Sequence, residues 1–298
     1  MSAFADKLAD AVRRKGPLCV GLDPRWESLP TIARRSCRDP EGTLHPLVAF
    51  DFFCCRVLNL VQPYAGVVKL QAAFFELAGS GGLASMEGVL RRAREMGFVT
   101  ILDAKRGDIA STAAAYADAA FAGCTIEGKT FPVWDADSLT INPYLGRDAV
   151  EPFLSAAKAA GRGVFVLVRT SNPGAGLFQD LVCDGKPVYR HVADEVVKWN
   201  APTVGACGLG DVGAVVGATH PRELAELRAA MPDVWFLVPG YGAQGGTAAD
   251  VRAAFRSGGL GAVVNSSRGV TFPFHPDDPD WEAKVVAGAR KAAAELKA

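Results

Sequence analysis

Phe98-Val99-Thr100-Ile101-Leu102-Asp103-Ala104-Lys105-Arg106-Gly107-Asp108-Ile109-Ala110-Ser111-Thr112 is the stretch on which the fold turns. A short apolar run, 98–102, ends in Asp-x-Lys-x-x-Asp, and Gly107 interrupts the charges. The run reads as a buried strand and the charges as its exit, with Ser111 or Thr112 capping an alanine-rich helix beyond. Residues two apart on a strand share a face, so Asp103 and Lys105 point to the same side. Taken alone, a carboxylate beside an ammonium reads as an ion pair closing a strand. What the pair does depends on what the other strands place next to it.

Seven more short apolar runs flank this one, at 18–22, 66–70, 138–143, 163–168, 212–219, 235–240 and 261–265. Helical spacing of apolar residues predicts helices at 2–14, 44–64, 84–96, 111–122, 147–160, 187–199, 221–230, 248–257 and 280–297. Residues 25–43 read as a polar loop and 123–137 as an irregular insert. The strand runs show no sustained alternation, which suits a parallel sheet covered on its outer face. Eight strands, each followed by a helix, give the (β/α)₈ TIM barrel pattern: one catalytic domain over 1–298, with an N-terminal helix and irregular loop inserts. A doubly wound open sheet also alternates strand and helix, but no GxGxxG follows the first strand.

Composition narrows the partners. Lysine plus arginine equals aspartate plus glutamate at 32 each in 298 residues, which gives no support for a nucleic-acid or membrane-surface partner. Residues 1–15 carry acids and no apolar core run, so no signal peptide is expected there. No apolar run of about twenty residues offers a membrane span. The seven cysteines form no CxxC, and the four histidines are scattered, so a zinc site is not expected and the thiols read as reduced, in a cytoplasmic protein.

In a barrel, the carboxyl ends of the strands converge on one face, where chemistry sits. The exits here are Asp23, Lys69, Asp103 with Lys105, Asn142, Arg169 to Ser171, Thr219, Pro239-Gly240, and Asn265 to Arg268. One strand-end charge is easily structural, but successive strands delivering ions to one mouth point to a site. The loop Pro239-Gly240-Tyr241-Gly242-Ala243-Gln244-Gly245-Gly246 follows the seventh strand, and Ser266-Ser267-Arg268-Gly269 follows the eighth. Backbone amides from these two loops, with an arginine, make a phosphate cradle. Milder readings hold elsewhere. Arg169 pairs locally, Ser171 reaches a ligand's polar edge or only turns the chain, and Asn142 contacts a base or caps its strand. Phe74-Phe75 packs in the core, and Asp51 and Glu76 are solvated or capping.

Asp103-Ala104-Lys105-Arg106-Gly107-Asp108 resembles the DxKxxD signature of the orotidine 5′-phosphate decarboxylases, and the longer LDAKRGDIAST is similar to their bacterial type 2 branch. The resemblance extends over nearly the whole barrel. It takes in Gly21-Leu22-Asp23-Pro24, Lys69 with Gln71 and Phe74-Phe75, Thr170 to Gly174, and the two loops just described. It implies decarboxylation of orotidine 5′-monophosphate (OMP) to uridine 5′-monophosphate (UMP), the last step of de novo pyrimidine synthesis, without metal or organic cofactor. By this resemblance Lys69, Asp103, Lys105 and Asp108 form a charged network, with Asp108 reaching into the neighbouring subunit of a homodimer. Asp23 contacts the ribose, Ser171 the pyrimidine, and Gln244 and Arg268, with Pro239 and Gly240, the phosphate end.

Three rival readings stand beside it. A sugar-phosphate decarboxylase or aldolase of the same barrel group uses Mg²⁺ and carries an acid where this chain has Lys69. A Schiff-base aldolase needs a lysine of depressed pKa, which flanking carboxylates oppose. A non-catalytic nucleotide-binding barrel has no need of the strand-end charges.

Overall fold

The computed structural model describes residues 3–35, 37–38, 41–43, 45–242 and 245–297. Eight parallel strands close into a barrel: β1 (Leu18–Leu22), β2 (Val67–Gln71), β3 (Val99–Arg106), β4 (Ser138–Ile141), β5 (Gly163–Arg169), β6 (Val212–Val216), β7 (Phe236–Val238) and β8 (Ala262–Ser266). Each strand pairs with its neighbours in sequence, and β1 pairs with β8 to close the ring. The barrel expected from the sequence is therefore the fold, and the open sheet is not.

The absence of alternation in the strand sequences now has its reason. Leu18, Val20, Val68, Leu70 and Leu102 face outward and pack under the helices. Cys19, Val67, Val99, Ile101, Phe165 and Leu237 face inward and form a second apolar cluster. Both faces are dry, so both carry apolar residues.

The inner cluster is completed by helix α1 (Phe4–Lys15), which contributes Phe4, Leu8 and Val12. The Phe4 ring meets Phe165 edge-on, with centroids 6.0 Å apart. It fits because Gly163 has no side chain: a Cβ there would lie 2.1 Å from the Phe4 ring. Two carboxylates at strand starts hold the helix in place. Asp211 accepts the Ala5 N–H at 2.7 Å, and buried Asp137 accepts from the Lys7 ammonium at 2.6 Å. The N-terminal end of the barrel is thereby stoppered, which leaves the carboxyl end as the open one.

Several segments are more ordered than their sequence suggests. Within 25–43, Trp26–Ser28 and Thr31–Arg35 are short helices. The insert 123–137 carries a hairpin, Cys124–Ile126 with Lys129–Phe131, turned by Glu127 and Gly128 at φ 50° and 75°. Two consecutive positive φ values match the twist of a two-residue hairpin loop; Gly128 adopts its value freely, but Glu127 is not a residue that favours it, so the sequence signal was weak. The helix expected over 84–96 begins earlier, as Gly79–Glu95. Its glycines are poor helix formers, but Gly82 packs where a Cβ would lie 1.9 Å from the Phe75 carbonyl oxygen, so tertiary packing overrides propensity. Over 248–257 only Ala248–Val251 is α-helical, started by a Thr247–Asp250 capping box and followed by a 3₁₀ turn.

The contact of Phe4 with Gly163 makes a specific prediction. Gly163→Ala is expected to cost about 1–3 kcal/mol, the usual penalty of overpacking, and to cost clearly less in a Phe4→Ala background. Urea unfolding of the two single variants and the double variant measures the coupling; strict additivity would mean that the ring does not depend on the glycine.

Candidate active site

Counting by two along β2 and β3 gives the inward residues Val67, Lys69, Gln71 and Val99, Ile101, Asp103, with Gln71 level with Asp103 in the register. Each strand is apolar at its buried start and polar at its exit. The charged residues thus stand on an apolar floor.

Asp103 is the centre of the arrangement, only 6 % exposed. Its Oδ2 accepts from the Lys69 ammonium at 2.8 Å and from the Gln71 amide at 3.2 Å. Its Oδ1 accepts from the Lys105 ammonium at 2.6 Å and from the Thr140 hydroxyl at 2.9 Å. Asp23 lies on the other side of Lys69, at 3.9 Å. The order Asp23, Lys69, Asp103, Lys105 alternates in sign. Burial opposes the charge on Asp103, but Lys69 and then Lys105 overcome it and hold the carboxyl well below its usual range. Burial likewise opposes the charge on Lys69, and Asp103, then Asp23, reverse it, so this ammonium is held above the usual lysine range.

Lys105 reaches its place through an irregular backbone. Its φ is 48°, left-handed for a residue with a side chain. Leu102 pairs with Leu139, and the next ladder pair is Arg106 with Ile141, so β3 takes four steps against two on β4. The extra residues form a bulge, which re-aims side chains at barrel rims. The Lys105 N–H, displaced from the ladder, donates to the Thr140 hydroxyl at 2.9 Å. β3 therefore runs through the charges to Arg106 instead of ending at Leu102.

Asp23, Lys69, Gln71, Asp103 and Lys105 line one wall of a cavity of ≈ 790 Å³. Leu167, Val215 and Leu237 form its apolar floor, and Ser171, Pro239, Gly240 and Arg268 lie around it. Gly217 lets Ser171 approach, since a Cβ there would sit 2.8 Å from the serine Cβ. The loop after β7 folds back on itself: the Gly242 N–H donates to the Gly246 carbonyl at 2.8 Å and the Gly246 N–H to the Gly240 carbonyl at 3.0 Å. Gln244 lies outside the described residues. Arg268 opens a short helix, Arg268–Thr271.

Two expected site residues lie away from the cavity. Asp108 does not line it and makes no ion pair among the described residues; its carboxylate accepts the Ile109 N–H at 2.8 Å. Asn142 is not in the cavity wall either. Its side-chain oxygen accepts the Tyr144 N–H at 3.0 Å, a turn of the kind asparagine forms locally. Arg169 does pair locally, with Asp180 at 3.1 Å. Glu76 is neither free in solvent nor a cap: it pairs with Arg106 and borders the cavity. Asp51 accepts a hydrogen bond from the Ser85 hydroxyl at 2.6 Å. The aromatic pair divides, with Phe75 in the core and Phe74 at the cavity, where the Arg25 guanidinium stacks 4.7 Å from its ring centre. Gln71 was readable two residues beyond Lys69. Thr140 had no sequence signal, because its role arises only opposite the bulge.

The Orotidine 5′-phosphate decarboxylase / HUMPS family model matches residues 16–276. The chain belongs to this family. A protein of Rhodopirellula baltica named orotidine 5′-phosphate decarboxylase is 46 % identical over 305 aligned positions, covering all of both chains. One of the same name from Deinococcus radiodurans is 41 % identical, covering 99 % of this chain and 95 % of its own. The solved OMP decarboxylase of Leishmania donovani superposes with a TM-score of 0.76 at 34 % identity, covering 99 % of this chain and 97 % of its own. The bulge and the charged row thus occur in a chain whose relatives align with it from end to end.

The charged row has a pH signature. Asp103 is depressed in the folded state, so its contribution is complete above the unfolded aspartate value of about 4 and is lost as pH falls toward its folded value. Lys69 is raised, so its contribution is complete below about 10.4 and is lost as pH rises through its folded value. Asp103→Asn leaves a buried ammonium short of its main partner and is expected to cost about 3–5 kcal/mol. Urea melts of both proteins should show a constant difference between about pH 5 and 9 that shrinks at lower pH. A difference that grew on acidification would contradict this sign.

Proposed function

We propose that this chain decarboxylates OMP to UMP and CO₂, the closing step of UMP synthesis, as one catalytic unit over 1–298. The observation that carries the reading is the row Lys69–Asp103–Lys105, fixed at the apolar floor of a nucleotide-sized cavity. The activity named for the relatives fits what such a row can do.

Breaking the bond from C6 to the carboxyl carbon releases CO₂ and leaves the electron pair on C6, where no adjacent carbonyl takes it up. A fixed cation at that point stabilises the developing charge. The Lys105 ammonium supplies it and then donates its proton to C6, and the amine regains a proton from solvent. Asp103 faces the substrate carboxylate as a like charge, and the repulsion disappears with CO₂. Lys69 keeps Asp103 ionised, so the carboxylate that orients Lys105 is held in place. Asp23 binds the ribose and Ser171 the pyrimidine edge. Arg268, the Pro239-Gly240 backbone and Gln244 hold the phosphate, far enough from C6 for its binding energy to serve positioning.

Asp108 has no part in its own chain's cavity, which supports a homodimer in which it completes the partner's site. The exposed apolar residues Leu77, Ile109, Tyr144 and Leu145 suit such an interface. Nucleic acid and membrane are not partners in this reading. All seven cysteines are free thiols, and among the described residues no helix is long and apolar enough to cross a membrane; both support work in the cytoplasm. A Mg²⁺-dependent sugar-phosphate enzyme is disfavoured because the buried Lys69 ammonium occupies the place where a divalent cation would need an acid.

Loss of OMP absorbance, followed with and without EDTA, tests the reaction. Turnover indifferent to EDTA is expected; a metal requirement would favour the sugar-phosphate reading. Lys105→Ala should reduce turnover by at least ~10³-fold, the loss of an electrostatic and proton-donating group, while UMP still binds. Mixing inactive Lys105→Ala with inactive Asp108→Ala chains should restore activity, because one site of each hybrid dimer keeps both residues. Hybrids that form but stay inactive would refute a shared site.

A further inference from the structure

Lys105 is the residue on which the proposed chemistry depends, and its backbone is in a conformation that side-chain-bearing residues adopt at a cost of about 1–3 kcal/mol. Something must hold it there. The β3–β4 ladder does not, because its register skips from Leu102 to Arg106. The Lys105 N–H is therefore left without a ladder carbonyl.

Thr140 fills that gap. It is fully buried on β4, opposite the bulge, and does not line the cavity. Its hydroxyl accepts the Lys105 N–H at 2.9 Å and donates to Asp103 Oδ1 at 2.9 Å. A hydroxyl has one proton to give and lone pairs to receive, so both bonds can be made at once. The carboxylate oxygen it touches is the one that receives the Lys105 ammonium at 2.6 Å. One oxygen atom thus ties the lysine's backbone to the acceptor of the lysine's own side chain. Four groups from three residues close a ring: Lys105 amide, Thr140 hydroxyl, Asp103 carboxylate, Lys105 ammonium.

We infer that Thr140 is a positioning residue for Lys105, setting the height and direction of its ammonium over the cavity through the strained backbone and the Asp103 rotamer. It is fully buried and does not line the cavity. Valine keeps the volume and β-branching but offers neither an acceptor to the amide nor a donor to the carboxylate. Serine keeps both. The inference rests on Lys105 being the proton donor.

Steady-state kinetics with OMP, together with UMP binding, test it. Thr140→Val is expected to lower kcat by about 10²-fold, the cost of roughly 1 Å of misplacement. KM and UMP affinity should stay within about threefold of the parent, because the substrate-binding groups are untouched. Thr140→Ser should recover kcat to within about fivefold, since the hydroxyl and both its bonds remain. If the valine variant does not fold, Thr140→Ala, which also offers neither donor nor acceptor, is judged by the same criterion. A full kcat in Thr140→Val or Thr140→Ala, or a serine variant as slow as the valine one, overturns the inference. Turnover by Lys105→Ala would instead remove the reading on which it rests, so the two failures are distinguishable.

Discussion

A carboxylate buried between two ammonium groups is the constraint on which this structure depends. Ions taken out of water cost several kcal/mol each unless partners restore what solvation supplied. Asp103 meets that condition with four donors on two oxygens, two of them charged. Each donor comes from a different position on β2, β3 or β4, so the charge is stable only when these three strands hold their register. The same low-polarity surroundings that make the ions costly make their mutual attraction strong. A network of this kind cannot relax piecemeal, and rigidity is what stabilising a developing charge requires.

The barrel supplies the surroundings in a definite order. Helix α1 fills one end with Phe4, against Phe165, in the space left by Gly163. Apolar residues occupy the next inward positions, and the polar ones stand at the exits. The gradient from apolar start to charged end of β2 and β3 therefore becomes a floor and a working surface. At the rim, the bulge in β3 releases Lys105 from the ladder and turns its side chain toward Asp103. Regular pairing would have satisfied the backbone more cheaply, but it leaves no way to set an ammonium at this angle. The strain is local and is countered by a fully buried neighbour, Thr140.

The loops divide the labour differently. The segment after β5 is tied down by the Arg169–Asp180 pair and by Gln179, which accepts the Thr170 N–H at 3.0 Å. The loop after β7 is held by glycine-to-glycine backbone bonds, with few side chains to fill it. The segment after β5 is thus held through its side chains and the loop after β7 through its backbone.

How much of this was legible in the sequence follows from where the information resides. Eight apolar runs, their intervening helical periods and the charged exits Asp23, Lys69, Asp103 and Lys105 were readable, because strand burial on two faces and the period of two are local properties. Gln71 was readable by the same count. The hairpin at 124–131 was only half written locally: Gly128 suits its turn, but Glu127 does not announce one. The start of the Gly79–Glu95 helix was not, because its glycines favour a loop until Phe75 packs against Gly82. Asn142 sits at a strand exit like the others, but its short side chain bonds its own turn before it reaches the cavity. The sequence alone determined the barrel and the charges that converge on its mouth, because periodicity and burial act over a few residues. Only the tertiary structure decided which carboxylate oxygen each lysine meets, that Lys105 stands on a bulge, that Thr140 bonds its displaced N–H, and that Asp108 is not in the wall of the cavity. Those facts depend on the register between strands far apart in the chain, and no local pattern encodes that register.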